Sequence, residues 1–259
     1  TIEALIFNLN KELGTTLVLV THDHELAKRT DRILQLKGGK LIKTPKQDLE
    51  DNVMINTTTI DILPNGDAAI LSKQKTTGYQ QDYPRSVSFY ANKEEQEKYL
   101  RRLLSLPNFK INQYKIEPSK TTPEVNSTID IVVNKYASKA GKRIFIRPNA
   151  VNRFAYIPSK VKERKYPVII SVAYLDKDAV TLNIPKGYKV ESIPNETFEL
   201  DTDFGFYQIT ITQKDNQLIY NRIMQVKSFK FPKEKYEDLR KFYKEIAKMD
   251  KMKIVLVKL

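Results

Sequence analysis

The spacing of apolar residues changes character near residue 50. Before it, residues 2–13 (IEALIFNLNKEL) place Ile2, Leu5, Ile6, Leu9 and Leu13 at helical intervals. Gly14 follows at the position where a helix end favours a left-handed residue. Residues 16–20 (TLVLV) form a continuous apolar run, the pattern of a strand buried on both faces of a parallel sheet. Residues 24–29 predict a short helix, and RILQLKGGKLIK predicts two strands joined at Gly38-Gly39. The polar, aperiodic run 44–52, containing Pro45, reads as a linker.

From Val53 onward the period is that of strands. NTTTIDILPNGDAAILSKQKTTG predicts strand, turn at Pro64-Asn65-Gly66, and strand, because Asn and Gly tolerate positive φ. Residues 92–106 predict a helix with Tyr99, Leu100, Leu103 and Leu104 on one face, stopped by Pro107. FKINQYKIEPS and EVNSTIDIVVNKYA predict strands, the second with Val125, Ile129, Ile131 and Val133 inward, and KRIFIRPNAV a short strand broken at Pro148. YPVIISVAYLDKDAVTLNIPKGYKVESIP predicts three strands around turns at residues 176–178 and 185–187. FGFYQITITQKDNQLIYNRIMQVKSFKF predicts a long hairpin turning at Asp215-Asn216, with Tyr207, Ile209, Ile211, Leu218, Tyr220 and Arg222 in near alternation. A helix beginning at Pro232 carries Tyr236, Leu239, Phe242, Tyr243 and Ile246 on one face, and KIVLVKL closes the chain as a strand. The chain therefore predicts a mainly β fold. An antiparallel β-sandwich with packed helices occupies residues 53–259, with a subdivision allowed near 107–123, after a short α/β piece at 1–43.

Composition narrows the chemistry. The 259 residues include no Cys, and the two histidines are His22 and His24. Disulfides, thiolate metal sites and cysteine nucleophiles are excluded, and residues 48–259 hold no Ser-His or Cys-His pair. The formal charge is +13, but bases and acids interleave, as in NKEEQEKYLRR. That pattern favours a solvated lysine-rich surface over a nucleic-acid footprint. No apolar run approaches the ~20 residues of a membrane span. The start at Thr1 shows no signal-peptide pattern and, lacking Met, suggests a fragment or processed chain.

With GTTLVLVTHDHELAKRTDRILQLKGGKLI, residues 1–43 resemble the C-terminal end of an ABC-transporter ATPase of the lipoprotein-releasing type. The resemblance implies that His22, at the end of the strand, contacts the γ-phosphate of ATP. The chain contains no G-x-x-x-x-G-K-[ST] loop, no Asp-Glu-ended strand and no Leu-Ser-Gly-Gly signature. Phosphoryl transfer depends on those parts, so no ATP hydrolysis is expected of the chain.

The segments DILPNGDA, RSVSFYAN, RKYPV, NIPKGYKVESIP and FPKEKYEDLRKFYKEIAKMDKMKIVLVK make residues 50–259 resemble the C-terminal, non-catalytic β region of bacterial transglutaminase-like proteins of the Bacteroidetes type. The resemblance implies an exported accessory region that follows a cysteine-histidine-aspartate domain and carries no catalytic residue itself. One half resembles a cytoplasmic ATPase and the other an exported protein, as a fused or chimeric chain would; the compartment is left open.

Other candidates weigh toward structure. Tyr79, Tyr83, Tyr90 and Tyr114 are a stacking patch for a ligand or, preferably, half-buried strand-edge rings. Asp201 and Asp203 are a calcium turn or, preferably, an acidic turn. His22, His24 and Asp23 read as exposed turn residues rather than a metal site. Arg164 reads as structural, and Arg240 as a surface partner of Glu237 or Glu245. No catalytic residue, metal or cofactor is assigned. The expected function is a non-catalytic accessory or interaction module, whose partner is a protein or the missing catalytic domain. The alternatives are a partial ATP-binding subunit of a lipoprotein exporter, and a basic module for nucleic acid or anionic glycan.

Overall fold

The structure, a computed structural model, describes residues 6–8, 10, 12, 16–37, 40–42, 48–104, 106 and 108–259. It divides into two compact units, Thr1–Lys46 and Gln47–Leu259.

In the first unit, helix α1 (His24–Ala27) is capped by Asp23, whose carboxylate accepts the Glu25 and Leu26 amides at 2.8 and 3.2 Å. Strands β1 (Gln35–Lys37) and β2 (Lys40–Ile42) pair antiparallel with Gln35 opposite Ile42, as the sequence predicts. Ile2, Leu5, Leu9, Leu13, Gly14, Gly38, Gly39 and Pro45, on which other expectations rest, lie outside the described residues. The strand expected at 16–20 is not formed: Val18 and Val20 are 79% and 98% exposed. A doubly buried strand draws its hydrogen bonds and its burial from neighbours on both sides. Among the described residues of this unit, only β1 and β2 form a sheet.

The second unit is mainly β, with antiparallel sheets and packed helices, as expected. Its N-terminal half holds β3 (Val53–Ile62), β4 (Ala68–Thr77), α2 (Asp82–Tyr90), α3 (Lys93–Leu103), β5 (Phe109–Pro118), β6 (Glu124–Val133), β7 (Ser138–Ala140) and β8 (Arg143–Ile146). The rest holds β9 (Val168–Ile170), β10 (Tyr174–Asn183), β11 (Tyr188–Ser192), β12 (Thr197–Thr202), β13 (Gly205–Lys214), β14 (Gln217–Val226), β15 (Phe229–Phe231), α4 (Tyr236–Met249) and β16 (Ile254–Lys258). One eight-stranded sheet runs β12-β13-β14-β10-β3-β4-β6-β5, and a four-stranded sheet runs β11-β16-β8-β7. Neighbours are antiparallel except β10 and β3, which run parallel at the middle of the large sheet and join its two halves.

The alternation read from the sequence is the alternation observed. Tyr207, Ile209 and Ile211 on β13 and Leu218, Tyr220 and Arg222 on β14 are all buried, as are Val125, Ile129, Ile131 and Val133 on β6. All of these except Val125 and Arg222 join the inner faces of β8 and β16, with Ile144, Ile146, Ile254 and Leu256, and the apolar face of α4 in one core. Gly66 takes φ +94° in the β3–β4 turn.

Several expectations change. Residues 48–52 of the expected linker are ordered: a 3₁₀ turn spans Leu49–Asp51, and fully buried Asn52 accepts the Tyr79 amide at 2.7 Å. The stretch 107–123 carries β5, which pairs with β6 in the same sheet as β3 and β4. Helix α3 ends at Leu103, which is 38% exposed, while Leu104 just beyond it is buried. Helix α2 has no clear apolar face in the sequence, since it buries only Pro84 and Val87. Arg85 holds it, donating to the carbonyls of Ser119, Thr122 and Glu124 at 3.0, 2.9 and 3.0 Å. The largest correction is at residues 176–178, read as a turn and found inside β10 with Asp176 and Asp178 buried.

Candidate functional site

The inward face of β10 and β14 carries charge where a core would carry hydrocarbon. Asp178 and Arg222 are cross-strand partners, and Arg222 Nη1 donates to Asp178 Oδ2 at 2.7 Å. Arg222 Nε lies 3.2 Å from Oδ1 of Asp250, the residue that follows α4. The second Asp178 oxygen accepts from Asn56 Nδ2 at 2.8 Å. Asp250 further accepts the Tyr207 hydroxyl at 2.6 Å and the Phe154 amide at 2.7 Å. Asp176 accepts from Gln80 Nε2 and Asn152 Nδ2, both at 3.2 Å. Burial pushes the carboxyl of Asp176 up to about 6 against the pull of Arg222, and it also raises Asp178 and Asp250. Arg222 is held above its ordinary value by Asp250 and Asp178, which outweigh its own desolvation. Among the described residues, every carboxylate of this cluster is committed to other protein groups.

This cluster also fixes the loop after β8. Asn152 reaches inward to Asp176 and the Phe154 amide to Asp250, while Asn149 brackets the turn: its Oδ1 accepts the Asn152 amide at 3.0 Å and its Nδ2 donates to the Asn152 carbonyl at 3.1 Å. Arg153, between the two inward anchors, lines a cleft of about 460 Å³ on the other side. Arg147, Lys135 and Lys253 line it too, with Phe145, Ser138 and Asn149 among the remaining walls and no carboxylate among its described lining residues. The placement follows from strand alternation. Ile144 and Ile146 of β8 point into the core, so Phe145 and Arg147 face the cleft. Ile254 of β16 pairs with Ile146, and Lys253 and Arg147 directly adjoin that last pair of the ladder. Lys135 adopts φ +54°, with its amide held by Asp67 Oδ1 at 2.8 Å. Lys253 Nζ donates to Ser138 Oγ at 3.3 Å. The Nε atoms of Arg147 and Arg153 are shielded from solvent and have no hydrogen-bond partner in the protein.

The residues singled out by sequence fall elsewhere. His22 lies just before α1 and His24 is its first residue, and both are exposed. Tyr79, Tyr83 and Tyr90 are 52%, 59% and 86% exposed, but the ring contacts of Tyr83 and Tyr90 are with Tyr99 and Phe89 rather than with one another. Tyr114 donates to the Lys93 carbonyl at 3.3 Å. Asp201 and Asp203 face Lys227 and Lys235 at 3.8 and 3.3 Å. Arg164 donates to the Tyr166 and Pro167 carbonyls at 2.9 and 3.1 Å and lies over the Tyr236 ring. Arg240 pairs with Glu237 at 2.8 Å. The cleft cations were missed because Lys135, Arg147, Arg153 and Lys253 come from separate segments. In the sequence, RPN at 147–149 carries only the signal of a strand break.

A family described as a domain of unknown function with a solved structure (DUF3858) matches residues 142–256. That span holds Arg222, Asp176, Asp178 and Asp250, and three of the four cleft cations. The chain is also 60% identical over 37 residues to an uncharacterized ABC transporter ATP-binding protein, YbbA, of Escherichia coli (strain K12). It is 54% identical over 41 residues to the lipoprotein-releasing system ATP-binding protein LolD of Xanthomonas campestris pv. campestris (strain 8004). These matches cover 14% and 16% of this chain, which spans only 16% and 17% of the length of those curated relatives.

Proposed function

We propose that residues 47–259 are a non-catalytic β module that serves as an accessory or interaction unit of a transglutaminase-like protein. The observation that carries this reading is the closed state of the Arg222 cluster. A working acid or base must reach a substrate proton. Here Asp176, Asp178 and Asp250 are buried and engaged by Gln80, Asn152, Asn56, Arg222, Tyr207 and the Phe154 amide. Their shifted acidities come from burial in a structural network, which perturbs pKa values as an active site does. The DUF3858 match over 142–256 lies within the region whose segments resemble the β part of transglutaminase-like proteins.

The short identity to ABC ATPases supports reading residues 1–43 as the end of such a subunit, with His22 as its γ-phosphate contact. That segment would need the other ATPase parts to act. The test is turnover by the purified chain, assayed for amine incorporation into a glutamine donor and for ATP hydrolysis. The reading predicts neither. Turnover of either kind by the purified chain would overturn it.

A further inference from the structure

We propose that the cleft between β8, β16 and the 149–153 loop binds a small oxyanion carrying two or more phosphate or carboxylate groups. This would give the accessory module a ligand of its own, and it stands whether or not the transglutaminase link holds.

Four cations converge on one concavity of about 460 Å³ without a carboxylate among its described lining residues. Some bases elsewhere in this unit are paired with acids: Lys75 meets Glu124 at 2.7 Å, Lys98 meets Glu94 at 2.6 Å and Arg240 meets Glu237 at 2.8 Å. Like charges brought close together repel, yet Lys253 and Arg147 directly adjoin Ile254 and Ile146, the last pair of the β8–β16 ladder. The shielded, unpartnered Nε atoms of Arg147 and Arg153 add a desolvation cost. Buried donors of this kind require an explanation, and an anion supplies one. Guanidinium groups take phosphate and carboxylate oxygens in bidentate geometry, while lysines contribute mobile point charge. The cleft has the size of a small-molecule site rather than the open track that a nucleic-acid strand follows.

The loop is also held in advance. Asn152 and the Phe154 amide are tied to Asp176 and Asp250, so the backbone on both sides of Arg153 is fixed by the buried cluster. A loop ordered in advance loses less entropy when a ligand binds.

The test is isothermal titration of the full chain with pyrophosphate and, separately, with citrate at low ionic strength. One saturable site for at least one of them is expected, and the better ligand identifies the headgroup chemistry. Arg147→Gln/Arg153→Gln should weaken that binding at least about tenfold. Lys177→Gln, which removes an exposed cation outside the cleft, should leave it unchanged. In anion-free buffer the double variant should melt no lower than the parent, since repulsion is relieved. If it fails to fold, Lys135→Gln/Lys253→Gln, at exposed positions, should show the same loss. No saturable binding of either probe would overturn the proposal. So would binding that both variants retain, or binding confined to heparin or DNA.

Discussion

Arg222 and Asp178 stand opposite one another on β14 and β10, joined at 2.7 Å with both side chains 1% exposed. Asp250 closes on the same guanidinium at 3.2 Å. Breaking such a pair strands a charge in the interior, which costs about 3–5 kcal/mol. Arg222→Met is therefore expected to lower the unfolding free energy of the second unit by that amount in urea titrations. A loss below about 1 kcal/mol would mean that the cluster does not hold the sheet.

Asp176 makes stability depend on pH. Its carboxyl is raised from 3.8 to about 6 by burial, so the folded state binds the proton more tightly than the unfolded chain. The contribution is present below pH 3.8 and is lost as pH rises through 6. Relative to wild type, Asp176→Asn should gain about 2–3 kcal/mol between pH 4 and 7.5, the equivalent of the shift. Urea midpoints at the two pH values measure this. A difference that stays flat or runs the other way would contradict the assignment.

Two glycines are required for different reasons, Gly205 by a close backbone approach and Gly141 by its positive φ. A Cβ on Gly205 would lie 2.0 Å from the Gln225 carbonyl, whereas at Gly141, φ +57°, it would meet nothing within 4 Å. Gly141→Ala should cost only the left-handed backbone term, about 1–2 kcal/mol. Gly205→Ala should cost more, because β13 and β14 must separate. Equal thermal shifts for the two variants would show that this strand pair yields easily.

Asn152 couples the buried cluster to the cleft without contributing charge. Asn152→Ala should cost about 1–2 kcal/mol of stability. It should also weaken pyrophosphate or citrate binding severalfold at temperatures where the variant is fully folded. Unchanged affinity in a destabilised variant would confine Asn152 to a structural role.

Much of the fold is legible in the sequence because two-residue alternation survives wherever one strand face is apolar. β6, β13 and β14 show it directly, and α4 shows the helical period in the same way. The reading fails where burial is not apolar. The run Asp176-Lys177-Asp178 looks like a turn, because the arginine that makes its burial tolerable lies 44 residues away. Residues 16–20 fail for the opposite reason: they carry a strand pattern but pair with no strand among the described residues. The cleft could not be read at all, since its cations meet only through the β8–β16 register and a loop pinned from inside.

The most direct test of the central claim, an autonomous β module, is urea unfolding of residues 47–259 expressed alone, followed by far-ultraviolet circular dichroism. The account predicts one cooperative transition at the same midpoint as the main transition of the full chain. A fragment without sheet signal, or with a markedly lower midpoint, would mean that the module depends on residues 1–46, and the claim would fall.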